Sequence, residues 1–313
     1  MLGPNTVRMP SWPGPVLAIG GAILAVGAAS ARLMVASGQL DADLRLLGWL
    51  ALAGAVAFVA GLVYAATRQL RVRRYLPPER YRGPAVLLLL ALVVVVATIF
   101  QIPFGNDILA LTGEGGELTP LGAAVVLLST PVALLLVSWW FVLRPRALAG
   151  LPSWMGPDPV RALGIGVLAG IGMWVLGNLV GAAVIALLQA LGIGVDTQLA
   201  ERAVETLDPW LVVLVVIFLA PVAEELFFRG VVFNAWLREG GVRWAFIGST
   251  LLFALIHLSI AAFVPILLLG FALAWIYRRT QSLLAPIALH ATFNGISVVL
   301  VLLTRFDILK PPV

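Results

Sequence analysis

From Pro209 to Arg229 the chain reads PWLVVLVVIFLAPVAEELFFR. Its first charged side chains are the adjacent Glu224 and Glu225, and an arginine closes the run at Arg229. About 20 predominantly apolar residues make a transmembrane helix. A charge inside such a run costs about 2.5–3.5 kcal/mol even on the lenient insertion scales. The stretch therefore announces a membrane helix and marks where its chemistry sits.

The rest of the chain agrees. Of 313 residues, 61% are hydrophobic and 11% charged, against about 45–50% and ~25% in soluble domains. The apolar runs are long and continuous, which excludes the alternating ~10-residue strands of an outer-membrane barrel. The fold class expected is all-α, a polytopic transmembrane helical bundle of eight or nine spans. Nine candidate runs lie at about 15–37, 46–67, 84–103, 120–143, 161–192, 209–228, 244–262, 263–277 and 283–303. The seventh and eighth join without a clear loop, the eighth is short, and Pro265 raises a re-entrant piece as the alternative. Ala29-Ser30-Ala31 resembles a signal-peptide cleavage site, but the length of the run and the spans after it favour a first membrane helix. Glycine and alanine abound in the first five runs, as small residues do where membrane helices pack closely.

Cysteine is absent, which excludes a disulfide framework, a thiolate metal site and a cysteine nucleophile. The net charge is +5 and nearly every base is arginine. These bases sit in loops and are not interleaved with stacking aromatics, so they read as positive-inside loops and not as a nucleic-acid surface. Arg68, Arg71, Arg73, Arg74, Arg80 and Arg82 follow the second run; Arg144, Arg146 and Arg161 the fourth; Arg229, Arg238 and Arg243 the sixth; Arg278 and Arg279 the eighth. The alternate loops carry Asp41 and Asp43; Asp107, Glu114 and Glu117; then Asp196, Glu201, Glu205 and Asp208 with Arg202 alone. The expected topology puts the N-terminus and the arginine loops in the cytoplasm of a cell (inner) membrane, with the site facing that side.

Only Glu224 and Glu225 among the acids lie inside an apolar stretch, and both histidines of the chain, His257 and His290, do too. Separate interhelical hydrogen bonds would explain one such residue; two histidines and a carboxylate pair in the last four spans point to one centre. Residues four apart share a helix face. That pairs Phe253 with His257, His290 with Asn294, and Glu225 with Arg229 in the favourable order for an ion pair. Adjacent helical residues diverge by about 100°, so Glu224 is left free. By rise per residue, Glu224, His257 and His290 can meet in the cytoplasmic half or near the midplane. A carboxylate beside imidazoles can take a proton from water while a neutral histidine or amide donates to the oxyanion. Alternatively Glu224, His257 and His290 could hold zinc with one position open for water. The residues alone leave both open.

EELFFR at Glu224–Arg229, FALIH at Phe253–His257 and HATFN at His290–Asn294 resemble, in order, the E-E-x-x-x-R, F-x-x-x-H and H-x-x-x-N/D motifs of the type II CAAX prenyl endopeptidase and bacteriocin-processing family, intramembrane proteases also called Abi proteins. The resemblance covers about residues 205–303. It divides the chain into motif-free transmembrane helices at 1–200 and a catalytic transmembrane core at 201–313. It implies an endopeptidase acting on a membrane-associated protein or peptide, prenylated in some members. In that reading Glu224 with His257 activates water, His290 with Asn294 stabilises the oxyanion, and Glu225, Arg229 and Phe253 support the site. Both metalloprotease and metal-free glutamate mechanisms are argued for the family. The metal lean here is to a metal-free glutamate, because only two imidazoles are present and Asn294 is a poor zinc ligand. The rivals are a proton-coupled transporter, which buried Glu and His also suit but which should show related halves with broken helices, and a non-catalytic immunity or scaffold protein.

Overall fold

The computed structural model describes residues 10–36, 38–104, 119–149, 154–193 and 207–309. The acidic residues expected outside at Asp107, Glu114, Glu117, Asp196, Glu201 and Glu205, and Arg202 with them, lie outside the described residues. Among the described residues all regular structure is helical. Lipid requires this, since each backbone N–H and C=O must be satisfied within its own segment. Among the described residues eight helices are long and apolar enough to cross a membrane, and the chain is an integral membrane protein. They are α1 (Pro13–Ala36), α2 (Leu44–Arg73), α3 (Val86–Phe104), α4 (Pro120–Leu143), α5 (Pro159–Ala190), α6 (Pro209–Leu255), α7 (Ile260–Thr280) and α8 (Leu284–Arg305).

Local sequence sets the helix ends. Asp43, Thr119, Asp158 and Ser259 accept backbone N–H groups at the starts of α2, α4, α5 and α7. Proline opens α4, α5 and α6, where its missing N–H costs nothing. Arg278 and Arg279 fill the last turn of α7, favourable to its dipole, and Gln281 leaves it with φ 51°.

The run α6 is 47 residues long, about 70 Å of helix and far more than one crossing. At Gly241 the backbone takes φ 83°, open to glycine at no steric cost, and the helix folds back. Phe233 and Phe246 meet across the fold with ring centroids 5.2 Å apart, and Trp236 packs against Gly248. The returning arm ends at Leu255, earlier than the expected 244–262 run. The chain turns through 256–259, with Leu258 at φ 49°, and α7 begins at Ile260. The eighth run is therefore not short. It is a helix of 21 residues with Pro265 inside it, and the short arm is the one before it.

The arginine-bearing connections gather at one end of the bundle. Arg73 pairs with Glu239 at 2.9 Å, the Arg82 N–H donates to the Ala147 carbonyl at 2.9 Å, and Arg238 donates to the carbonyls of Pro78 and Ala149. The Leu284 N–H donates to the Trp154 carbonyl at 2.9 Å.

The core runs through both halves of the chain, from Leu89 and Leu92 of α3 and Leu134 of α4 to Phe227, Phe228 and Phe253 of α6, Leu273 of α7 and Leu289 of α8. Helix α5 docks on α8 backbone to backbone. A Cβ at Gly166 would strike the Ala285 carbonyl and Ala288, and one at Gly170 would strike Thr292. The Trp174 indole donates to Ser297 Oγ at 3.0 Å across the same seam. This seam fixes α8, which carries His290.

Candidate functional site: a glutamate, histidine and arginine centre

The glutamates ride on an irregular part of α6. The helix is α-helical at Pro209–Val212, widens to a π-helix over Val213–Leu219, tightens at Ala220–Glu225 and widens again over Leu226–Phe233. Wide turns of this kind are rare and frequent at functional sites. In the first of them the Ala220 N–H reaches back five residues to the Val215 carbonyl. The next donor in that series would belong to residue 221, which is proline and has no N–H. The Val216 carbonyl takes its hydrogen bond instead from Asn294 Nδ2 of α8, at 3.0 Å. A proline on one helix and an asparagine on another thus complete one hydrogen-bond ladder and fix α8 against the glutamate segment.

Glu225 and Arg229 are fully buried and form an ion pair, Nη1 to Oε1 at 3.0 Å, as the i,i+4 spacing predicts. Arg229 Nη2 donates to the Gly270 carbonyl of α7 at 3.0 Å, and the guanidinium lies 4.5 Å from the centre of the Phe253 ring. Gly270 permits this approach, because a Cβ there would press on Phe253 and Thr250. Below the pair, Asn234 Nδ2 donates to the carbonyls of Arg229 and Gly230 and to the Tyr277 hydroxyl, which holds the second wide turn.

His290 stands between the two glutamates. Its Nδ1 is 3.0 Å from Glu225 Oε1 and its Nε2 is 4.0 Å from Glu224 Oε2. A carboxylate only accepts, so Nδ1 carries the proton and Nε2 of the neutral ring is a lone pair facing Glu224. Glu224 Oε2 is buried and has no hydrogen-bond partner. Phe253, fully buried, packs edge-on to the His290 ring at 5.8 Å, the His257 ring at 5.0 Å and Phe228 at 5.2 Å.

The expected residues thus divide. Glu224, Glu225, Arg229, Phe253 and His290 come together. Asn294 joins through Val216. His257 lies beyond the end of its helix, in the turn before α7, and its Nδ1 donates to the Phe253 carbonyl at 2.7 Å. It joins the cluster through the Phe253 ring, and the expected pairing of Glu224 with a histidine is made by His290 in its place. Among the described residues no three His, Cys, Asp or Glu side chains converge to hold a metal ion. Glu224, His257 and His290 do not converge as three ligands in this arrangement.

Sequence reasoning missed the Pro221 and Val216 half of the Asn294 link, and the Asn234 and Tyr277 brace. A signal existed for the first, since a proline in mid-span leaves a carbonyl to be served.

The fold and the centre define a class, a polytopic helical membrane protein with carboxylates, an imidazole and a guanidinium sunk among its packed helices. Comparison with known proteins narrows it. Residues 206–296 match the family described as type II CAAX prenyl endopeptidase Rce1-like. Two curated relatives match. One, named "Putative membrane peptidase YdiL", of Bacillus subtilis (strain 168), is 27% identical over 90 residues, 29% of this chain and 37% of the relative. The other, "UPF0177 protein YxdF" of Lactococcus lactis subsp. lactis (strain IL1403), is 31% identical over 94 residues, 29% of this chain and 51% of the relative. The chain thus spans about half or less of each relative's length. No solved structure matches.

Proposed function

We propose that the chain is an intramembrane endopeptidase that hydrolyses a peptide bond of a membrane-associated substrate with a glutamate-activated water. The observation that carries this reading is the buried, unpartnered Glu224 Oε2 facing His290 Nε2 across 4.0 Å. That gap is too long for a direct hydrogen bond. A water beside it can donate one O–H to Glu224 and the other to Nε2, which presents its oxygen to a scissile carbonyl. The family match and the name of the Bacillus relative support the same class of chemistry.

In this mechanism the water oxygen attacks the carbonyl carbon and its proton passes to Glu224. The carbonyl π-bond electrons move onto oxygen. As the C–N bond breaks, the proton goes on to the leaving nitrogen. His290 holds the water, and Glu225 holds His290 in the tautomer this needs, itself anchored by Arg229. Asn294 has a second amide hydrogen beyond the one given to Val216, and offers it to the oxyanion. His257, exposed beyond the helix end, stands at the edge of the cluster beside Phe253. Residues 201–313 carry the chemistry, and they share one core with the helices before them.

The test is incubation of the purified protein in detergent with a library of peptides, some lipidated near the C-terminus, and mass analysis of the products. Discrete cleavage lost in Glu224→Gln supports the reading; release of no fragment from any member by well-folded protein sinks it. We place the arginine end of the bundle in the cytoplasm. With no native cysteine to interfere, Arg80→Cys and Arg278→Cys should resist impermeant thiol reagents added outside intact cells, and labelling from outside would reverse the topology.

A further inference from the structure

We infer that the cleft between α5 and α7 binds an anionic phospholipid, its phosphate at Arg161 and Arg279 and an acyl chain in the trough beneath. Two cavities meet there. The outer, about 520 Å³, is lined by Asp158, Arg161, Trp275, Ile276, Arg279 and Thr280 among others. The inner, about 320 Å³, is lined only by apolar and glycine residues, among them Gly172, Met173, Leu176, Ala272 and Leu289. Trp275 and Ile276 line both, so a polar mouth opens into an apolar trough. From Arg161 to Leu176 is roughly 22 Å along α5, the reach of an acyl chain below its headgroup.

Charge and shape select the occupant. The exposed Arg161 and Arg279 make no ion pair among the described residues. The acid at the mouth, Asp158, uses Oδ1 to accept the Arg161 backbone N–H at 3.0 Å as the cap of α5. The Arg279 guanidinium lies over the Trp275 ring at 5.4 Å, which orients it, and a guanidinium fork suits phosphate oxygens. Basic pockets between membrane helices bind anionic headgroups by the same chemistry. Gly172 leaves the trough open: a Cβ there meets nothing within 4 Å. Leu289, the neighbour of His290, forms part of the wall, and the occupant braces α8 from outside the site.

The test reads binding and does not depend on proteolysis. Purified protein in a neutral detergent is titrated with phosphatidylglycerol, with phosphatidylcholine and with glycerol phosphate while its melting midpoint is followed. Phosphatidylglycerol should raise the midpoint and the other two should not. Arg161→Gln/Arg279→Gln should weaken the response about tenfold or more, as loss of charged hydrogen bonds implies. Gly172→Leu, whose Cβ meets no neighbour within 4 Å and whose side chain occupies the trough, should weaken it comparably, and it decides the matter if the arginine variant folds poorly. Arg74→Gln/Arg144→Gln removes equal charge elsewhere and should respond as the parent does. An equal response to phosphatidylcholine, a response to glycerol phosphate matching that to the lipid, or an equal loss in the Arg74 and Arg144 variant would overturn the site.

Discussion

The motif-bearing helices and the α1–α2 hairpin are both apolar, yet they are built on opposite terms. In α6 and α7, 44% of the most apolar window is buried inside the protein; in α1 and α2 the shares are 17% and 11%. The hairpin is held by small residues. A Cβ on Gly21, Gly54 or Gly61 would strike the facing backbone, so its stability comes from close approach and dispersion. The centre is held by large side chains around a charge. Arg229, Phe227, Phe228, Phe253 and Tyr277 are almost wholly buried, and the arginine is satisfied by a carboxylate, a carbonyl and an aromatic face. One design tolerates lipid on most sides; the other spends its packing on keeping lipid and bulk water from an ion cluster.

The largest expected effect that separates the regions is chemical. Glu224→Gln keeps size and hydrogen bonding but removes the base, and turnover should fall about 10²–10⁴-fold with the melting midpoint little changed. Unchanged turnover would move the chemistry away from Glu224. Next, Arg229→Met leaves Glu225 charged and buried, and should cost about 3–5 kcal/mol. Adding Glu225→Gln should return part of that loss, since the stranded charge is then gone. Additive losses in a thermal or denaturant unfolding series would mean that the pair is not coupled as described.

Asn294→Leu should cost about 1–3 kcal/mol by leaving the Val216 carbonyl unserved. Pro221→Ala restores a backbone donor, so the double variant should unfold later than Asn294→Leu alone. A double variant less stable than both singles would break the link between the proline and the asparagine. The smallest effect on chemistry belongs to the hairpin. Gly54→Leu should separate α1 from α2 at about 1–3 kcal/mol of overpacking, yet leave turnover within about twofold, because no hairpin residue touches the cluster. A loss of turnover matching that of Glu224→Gln would join the two regions functionally.

Much of this was legible in the sequence, for physical reasons. The cost of charge in lipid singles out Glu224, Glu225, His257 and His290, and helical spacing gives the Glu225–Arg229 pair. The unread parts depend on departures from the regular helix. Spacing rules assume 3.6 residues per turn, and the wide turns on both sides of Ala220–Glu225 rotate the glutamates away from that register. The four-residue spacing from Phe253 predicts His257 on the helix, but the helix ends at Leu255 and the chain turns at His257. The fold-back at Gly241 stood in the sequence as Gly240-Gly241, between runs that hydropathy alone could only count. That His290, not His257, faces Glu224 is set by the rotation of α8 on α5 through Gly166 and Gly170, and no local pattern contains it.

The most direct test of the central claim, water activated at Glu224 within the membrane bundle, is isotopic. A cleaved peptide substrate is turned over once by the purified protein in ¹⁸O-labelled water, and the new C-terminal carboxylate is weighed. One ¹⁸O is expected in that carboxylate, with cleavage lost in Glu224→Gln. Cleavage that persists in Glu224→Gln with the same label incorporated would contradict the claim.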